Sequence, residues 1–243
     1  MTDNVDYHAK AQANIARAGY SDIEPELLSQ FESCARFTMT TIERMYALHQ
    51  AVCHVAQNKI LGAIVETGVW RGGSMMVTAR ALQKSAETRD LWCYDTFEGQ
   101  PEPDGVRDRD IWGNSCLESW RRHVVDGKYL GSQAAMDEVL ANIVSTGYPS
   151  DRIFCVKGKV EDTLPAKAPE QIALLRIDTD WYSSIAHELD QLYPRLVSGG
   201  VLIIDDYGHL FGARQATDEF LSRLDRPPLL IRVDYSCRLA VKP

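Results

Sequence analysis

This 243-residue chain has no long apolar run. No stretch approaches the roughly 20 apolar residues that span a bilayer, so a membrane-spanning helix is not expected. The opening MTDNVDYHAKAQANIARAG is polar and has no apolar signal core, so a cytoplasmic protein is expected. Cysteine is sparse and scattered: Cys34, Cys53, Cys93, Cys116, Cys155 and Cys237 form no CxxC pair. That excludes a disulfide framework or zinc cluster and predicts reduced, mostly buried thiols. A basic surplus is also missing. Lys+Arg is 26 against Asp+Glu 34, a net charge of −8. The balance disfavours a nucleic-acid partner and docking on an anionic membrane. There is no low-complexity run and no internal repeat. What is present, 45% hydrophobic and 25% charged residues, describes an ordinary globular chain with one large core.

Residues 1–60 read as an N-terminal helical segment, with Leu27, Leu28, Phe31, Met39, Ile42, Met45, Tyr46, Leu48 and Val52 at roughly helical spacing. From residue 61 short apolar runs alternate with amphipathic stretches. LGAIVET, DLWCYDTF, RIFCVKG, IALLRIDTD and VLIIDD read as buried strands. SMMVTARALQK, 183–196 and 213–224 read as helices. Such alternation predicts an α/β fold with a mostly parallel sheet wrapped on both faces. PLLIRV and SCRLAVK leave no room for a helix between them and predict an antiparallel C-terminal hairpin. An insertion at 99–150, with a helical stretch around SQAAMDEVLANIVSTG, interrupts the pattern. Connections this long are usually functional, and a lid is expected. The expected organisation is one structural domain, 1–60 helical and 61–243 carrying the site.

Ligands of open α/β sheets bind beyond the carboxyl ends of the strands. The first strand ends in Glu66-Thr67-Gly68-Val69-Trp70-Arg71-Gly72-Gly73-Ser74. Glycines permit a tight turn and close ligand approach, and the following helix offers unpaired N–H groups. A nicotinamide site is excluded because GxGxxG is absent. Glu-x-Gly-x-x-x-Gly instead resembles an S-adenosylmethionine (SAM) loop. Asp95, ending the second strand, suits ribose hydroxyls or a helix cap. Asp178 with Asp180, and Asp205 with Asp206, end two further strands. Four carboxylates at strand tips repel one another unless neutralised. A hard divalent cation, Mg²⁺ or Ca²⁺, is the simplest partner; N-capping and solvation are the alternative.

ETGVWRGGS, YDTFEGQPEP, VKGKVEDTLP, LLRIDTDWYSS and LYPRLVSGGVLIIDDYGHLFGARQATDEF, in this order across about residues 40–225, resemble the macrocin O-methyltransferase (TylF-type) family. The resemblance implies a Rossmann-like class I SAM-dependent methyltransferase fold with a seven-stranded sheet, N-terminal helices and a lid. It implies a SAM- and Mg²⁺-dependent enzyme that methylates a sugar hydroxyl of a glycosylated natural product and releases S-adenosylhomocysteine (SAH). By the resemblance, Asp178, Asp205 and Asp206 hold the metal and Asp180 is the general base. Glu66, Thr67, Gly68, Gly72 and Ser74 fall in the SAM loop, with Asp178 beside it. Asp95, Thr96 and Phe97 fall at the ribose, Gly158, Lys159 and Val160 at the adenine, and Met39 and Thr41 at the methionine end. A small glycosylated acceptor and a homo-oligomer are also implied.

Other readings stay open. A catechol or other vicinal diol would chelate the metal in the same way. A non-catalytic SAM- or nucleotide-binding protein is possible on the same fold, and a metal-dependent phosphohydrolase is a weaker option. His209 and His123 are rival bases, His187 is expected at the surface, and Arg214 is expected to pair with a carboxylate of the acid cluster. Trp181 and Tyr182 are expected to pack.

Overall fold

The structure, a computed structural model, describes residues 19–125 and 128–243. The helical reading of residues 1–18 lies outside the described residues. Among the described residues, α1 (Pro25–Cys34) and α2 (Ile42–Gln57) precede the sheet. The parallel core is β1 (Ala63–Thr67), α3 (Gly73–Lys84), β2 (Leu91–Asp95), then an excursion. The excursion holds α4 (Cys116–Arg122), a small hairpin of β3 (Val124–Val125) and β4 (Lys128–Tyr129), and α5 (Met136–Val144). Then come β5 (Ile153–Lys157), α6 (Val160–Thr163), β6 (Ile172–Ile177), α7 (Tyr182–Leu192), β7 (Leu196–Ile204) and α8 (Phe211–Leu221). The chain ends in β8 (Ile231–Arg232) and β9 (Arg238–Val241).

The main sheet has seven strands in the order β5-β2-β1-β6-β7-β9-β8. The first five run parallel, and β9 is antiparallel to both β7 and β8, as the missing helix predicts. β1 and β6 are buried along their whole length, because helices cover both faces. Alternation along each strand sorts the side chains into two cores. Ile64, Leu174 and Ile203 join α1, α2 and α3 on one face. Val65, Leu175, Ile177 and Ile204 join α7 and α8 on the other. No helix among the described residues is long and apolar enough to cross a membrane.

Register fixes where the site lies. Thr67 is level with Ile177, and Ile177 with Ile204. The residues that follow, Gly68, Asp178 and Asp205, therefore emerge side by side at one edge.

The expected lid divides into two unlike parts. Val139 and Ile143 of α5 are fully buried, and both touch the space a side chain at Gly72 would need. α5 thus belongs to the layer over α3 and β5 rather than to a cover. The preceding stretch overlies the sheet's carboxyl edge. It is tied down there by Trp181 Nε1 donating to the Pro101 carbonyl (3.0 Å) and Phe211 N to the Arg109 carbonyl (2.8 Å).

Candidate active site

A cavity of about 540 Å³ opens at this edge. Of the residues predicted from the sequence, Met39, Thr41, Glu66, Gly68, Ser74, Asp95, Thr96, Gly158, Lys159, Val160, Asp178, Asp180, Asp205 and Asp206 line it. Thr67, Gly72 and Phe97 do not. The Thr67 side chain alternates to the opposite sheet face and is fully buried. Gly72, at φ +83°, turns the chain into α3 against Val139 and Ile143. Phe97 packs into the core. Their contribution is to the shape of the loops.

One half of the cavity is built from backbone. Gly68 sits at φ +79°, and a Cβ there would overlap the Asp178 carbonyl oxygen. Glycine alone permits that approach. Asp95 Oδ2 accepts from Trp70 N (3.0 Å) and Oδ1 from Phe97 N (2.9 Å). These bonds hold Trp70 and Phe97 at positive φ, +43° and +53°, and leave the carboxylate's remaining lone pairs toward the cavity. Burial raises the Asp95 pKa although the N–H groups oppose it. Thr41 caps α2, its hydroxyl accepting from Arg44 N (3.3 Å). Met39 stands exposed at the rim.

The other half is built from charge. Glu66 and Arg176 are cross-strand neighbours, so their side chains share a face and form an ion pair. Arg176 also donates to Asp178 Oδ2 (2.7 Å) and Asp205 Oδ1 (2.6 Å). Arg44, from α2, donates to Asp205 Oδ2 (2.6 Å) and Asp234 Oδ2 (2.7 Å). Of five carboxylates here, Glu66, Asp178 and Asp205 pair with two guanidiniums (Arg176, Arg44), Asp234 shares the second, and Asp180 and Asp206 form no ion pair with either. The excess is negative. Burial, followed by the Asp206 charge, pushes the Asp180 carboxyl well above its ordinary range. Burial and then Asp205 raise Asp206, while burial outweighs Arg176 at Asp178. Glu66 is raised to about 6, chiefly by burial, and its Oε2 has no hydrogen-bond partner. Asp180 stands at φ +69°, a left-handed conformation sparsely used by residues other than glycine. Gln100, at the start of the lid stretch, donates its amide to Asp180 Oδ2.

This cluster fits a cation. One oxygen each from Asp178, Asp205 and Asp206 lie within 4.8 Å of one another. Hard carboxylate oxygens in surplus over their cationic partners suit Mg²⁺ or Ca²⁺. A bound divalent ion would reverse the upward pKa shifts by supplying the missing positive charge.

Arg44, Asp234, Gln100 and Arg176 (in this role) were not identified from the sequence. Arg214, expected to pair with the acids, does not. Its Nε donates to the Tyr207 carbonyl (3.3 Å), and its guanidinium lies over Tyr207 and Phe211. Arg176 and Arg44 already hold Asp178 and Asp205. Among the histidines, His209 lines the cavity between Trp112 and Tyr235, whereas His123 sits on the Ser119 carbonyl and Tyr129. His187 is half-buried rather than at the surface, with Nε2 enclosed and unpartnered. Trp181 and Tyr182 pack as expected, Trp181 being buried.

Comparison with known proteins agrees with this architecture. The macrocin-O-methyltransferase (TylF) family model matches residues 4–240. A tetracenomycin rhamnosyl 4′-O-methyltransferase from Streptomyces olivaceus is 32% identical over 206 residues, 84% of this chain and 75% of that protein. Demethyldecarbamoylnovobiocin O-methyltransferase from Streptomyces niveus is 32% identical over 199 residues, 81% of this chain and 72% of that protein. The solved O-methyltransferase NovP superposes with a TM-score of 0.73 at 28% identity, covering 85% of this chain and 82% of NovP. An SAH-bound methyltransferase from Podospora anserina, at 12% identity and TM-score 0.58, shares the fold. A SAM-methyltransferase fold, an acid cluster beside its glycine loop, and a family match spanning nearly the whole chain lead to one assignment: the chain belongs to the macrocin-O-methyltransferase (TylF) family of enzymes.

Proposed function

We propose that this enzyme uses SAM and Mg²⁺ to methylate a sugar hydroxyl of a small glycosylated natural product. The observation that carries the reading is the surplus of carboxylates, buried at Glu66 and Asp205 and half-buried at Asp178, Asp180 and Asp206, facing the glycine loop across a single cavity. When bound, SAM supplies an electrophilic methyl group on sulfur, and Mg²⁺ supplies Lewis-acid polarisation of a hydroxyl.

The chain's own residues do the rest. Gly68, Ser74 and Glu66 receive the amino-acid end of SAM, where the unpartnered Glu66 Oε2 suits an ammonium. Asp95 takes the ribose hydroxyls, and Gly158, Lys159 and Val160 border the adenine. Met39 and Thr41 close the methionine end. Asp178, Asp205 and Asp206 hold the metal, and Arg176 and Arg44 fix the oxygens of Asp178 and Asp205. Asp180 accepts the proton of the attacking hydroxyl, with Gln100 orienting its other oxygen. Gln100, Pro101, Tyr129, Gly131 and Ser132 bring the lid stretch over the acceptor end, where it excludes water. We further propose a homo-oligomer, with the N-terminal helices as contacts.

The test is methyl transfer from labelled SAM to a panel of glycosides and simple catechols. Preferential labelling of glycosides, abolished by EDTA and restored by Mg²⁺, is expected. Transfer to catechols alone, or transfer indifferent to EDTA, would overturn the acceptor or the metal assignment respectively.

A further inference from the structure

Beneath the acid loop lies a carboxyl that this chemistry does not use. Glu188, on α7, is 0% exposed. Its Oε2 accepts from the Thr179 hydroxyl (2.9 Å), and Thr179 is the residue between Asp178 and Asp180. Its Oε1 and the buried Thr67 hydroxyl are close enough for the hydroxyl to oppose the upward effect of burial on Glu188, yet neither atom has a well-formed hydrogen bond. Thr67 closes β1, immediately before Gly68, and its carbonyl accepts from Asp178 N (3.0 Å). Among the described residues, the charge that acts on Glu188 is another acid, Glu161, which raises it further. An ionised carboxylate here would be enclosed, without a cation, next to a site already in negative excess.

We propose that Glu188 is a neutral carboxylic acid and a positioning residue, bridging Thr67 under the glycine loop to Thr179 in the acid loop. Either oxygen could carry the proton of a Thr67–Oε1 hydrogen bond; full burial without a cation selects the carboxyl as its bearer, with Oε2 still accepting from Thr179. The bridge holds the two loops at the one spacing where the Gly68 turn clears the Asp178 carbonyl and Asp180 keeps its left-handed backbone. Burial raises Glu188 to about 8, in keeping with the neutral form. The catalytic consequence rests on the roles proposed above for Asp178 and Asp180; the bridge itself does not.

The full-length protein, loaded with SAH and Mg²⁺, tests this with Glu188→Gln, Glu188→Leu and Thr179→Val. Glutamine offers the same acceptor and donor without a charge. Infrared spectra near neutral pH should show a protonated-carboxyl band that Glu188→Gln removes. Glu188→Gln should keep kcat within about 3-fold, while Glu188→Leu and Thr179→Val lower it by about 100-fold, the loss a 1 Å misplacement produces. Calorimetry should show SAH affinity unchanged and Mg²⁺ affinity weakened in the latter two. Thr179→Val carries the turnover arm if the leucine variant does not fold. No band difference, a glutamine variant as impaired as leucine, or wild-type turnover in Thr179→Val would overturn the proposal. A wild type inactive on every acceptor would sink the functional reading, leaving the infrared and Mg²⁺ measurements to judge the bridge.

Discussion

The two halves of the cavity solve different problems with different materials. At the tips of β1 and β2 the shape is set by backbone: a glycine that admits the neighbouring loop, and two N–H groups pinned to Asp95. At the tips of β6 and β7 it is set by side-chain charge, with Arg176 and Arg44 threaded among the acids. The first arrangement suits binding, since it presents fixed polar atoms at little reorganisation cost. The second suits turnover, because surplus charge in an enclosed site can be redistributed when a cation and a substrate proton arrive. Substitutions of the acids at the β6 and β7 tips should therefore change kcat, and those at the β1 and β2 tips, Glu66 included, should change cofactor affinity.

The largest effect is expected at Asp180. Asp180→Asn keeps the size and the contact with Gln100 but cannot take a proton. Its kcat should fall by about 10²–10⁴-fold, the usual contribution of a general base, with SAH and Mg²⁺ binding unchanged. Turnover near wild type would remove Asp180 from the mechanism.

Arg176→Met should act on stability before activity. It leaves Glu66, Asp178 and Asp205 without their shared cation in a buried setting. Breaking such a pair from one side costs about 3–5 kcal/mol, a fall of roughly 10 °C in melting temperature for a chain of this size. Saturating Mg²⁺ should recover part of the loss, because the ion binds the folded state and replaces missing positive charge. A melting temperature indifferent to the substitution would show that the acids do not depend on Arg176.

Glu188 gives a pH-dependent prediction on the same borderline. Its carboxyl titrates at about 8 in the fold against 4.5 ordinarily, so between those values the folded state binds more protons than the unfolded one. Stability then declines as pH rises through that window. Glu188→Gln does not titrate, so its melting temperature relative to wild type should rise by several degrees between pH 5 and pH 8. A constant difference would show that Glu188 does not change ionisation there.

How much of this was legible in the sequence follows the same division. Strand periodicity gave the parallel sheet and the antiparallel end, and the acids at Asp178, Asp205 and Asp206 announced themselves by standing at the ends of buried runs. Parity places Arg176 and Asp178 on one face of their strand, but only the register of β1 against β6 brings Glu66 to that face and to Arg176. Arg44 and Asp234 are 190 residues apart and meet through tertiary packing of α2 against the segment between β8 and β9, which no local pattern encodes. Nearness in sequence misled at Arg214, whose helix carries it to the Tyr207 carbonyl instead. The helix of α5 was legible but its place was not, because its amphipathic pattern reads alike whether it covers a cavity or fills the layer beside α3.

The smallest effect, at Asp95, separates the halves most cleanly. Asp95→Asn retains one oxygen for a backbone N–H but replaces the other with a donor. It gives up either the Trp70 or the Phe97 contact as well as a charge facing the ribose position. Hydrogen bonds to a charged group contribute about 1.5–3 kcal/mol, so SAH affinity should weaken by roughly 10- to 100-fold. At saturating SAM, kcat should stay within about 3-fold of wild type, because the loss is borne equally by ground and transition states. Asp95 lies across the cavity from the acids, and its loops meet them through the Gly68 turn. A matching fall in kcat would mean that the turn transmits strain from the ribose position to Asp178, and that binding and turnover are one unit rather than two.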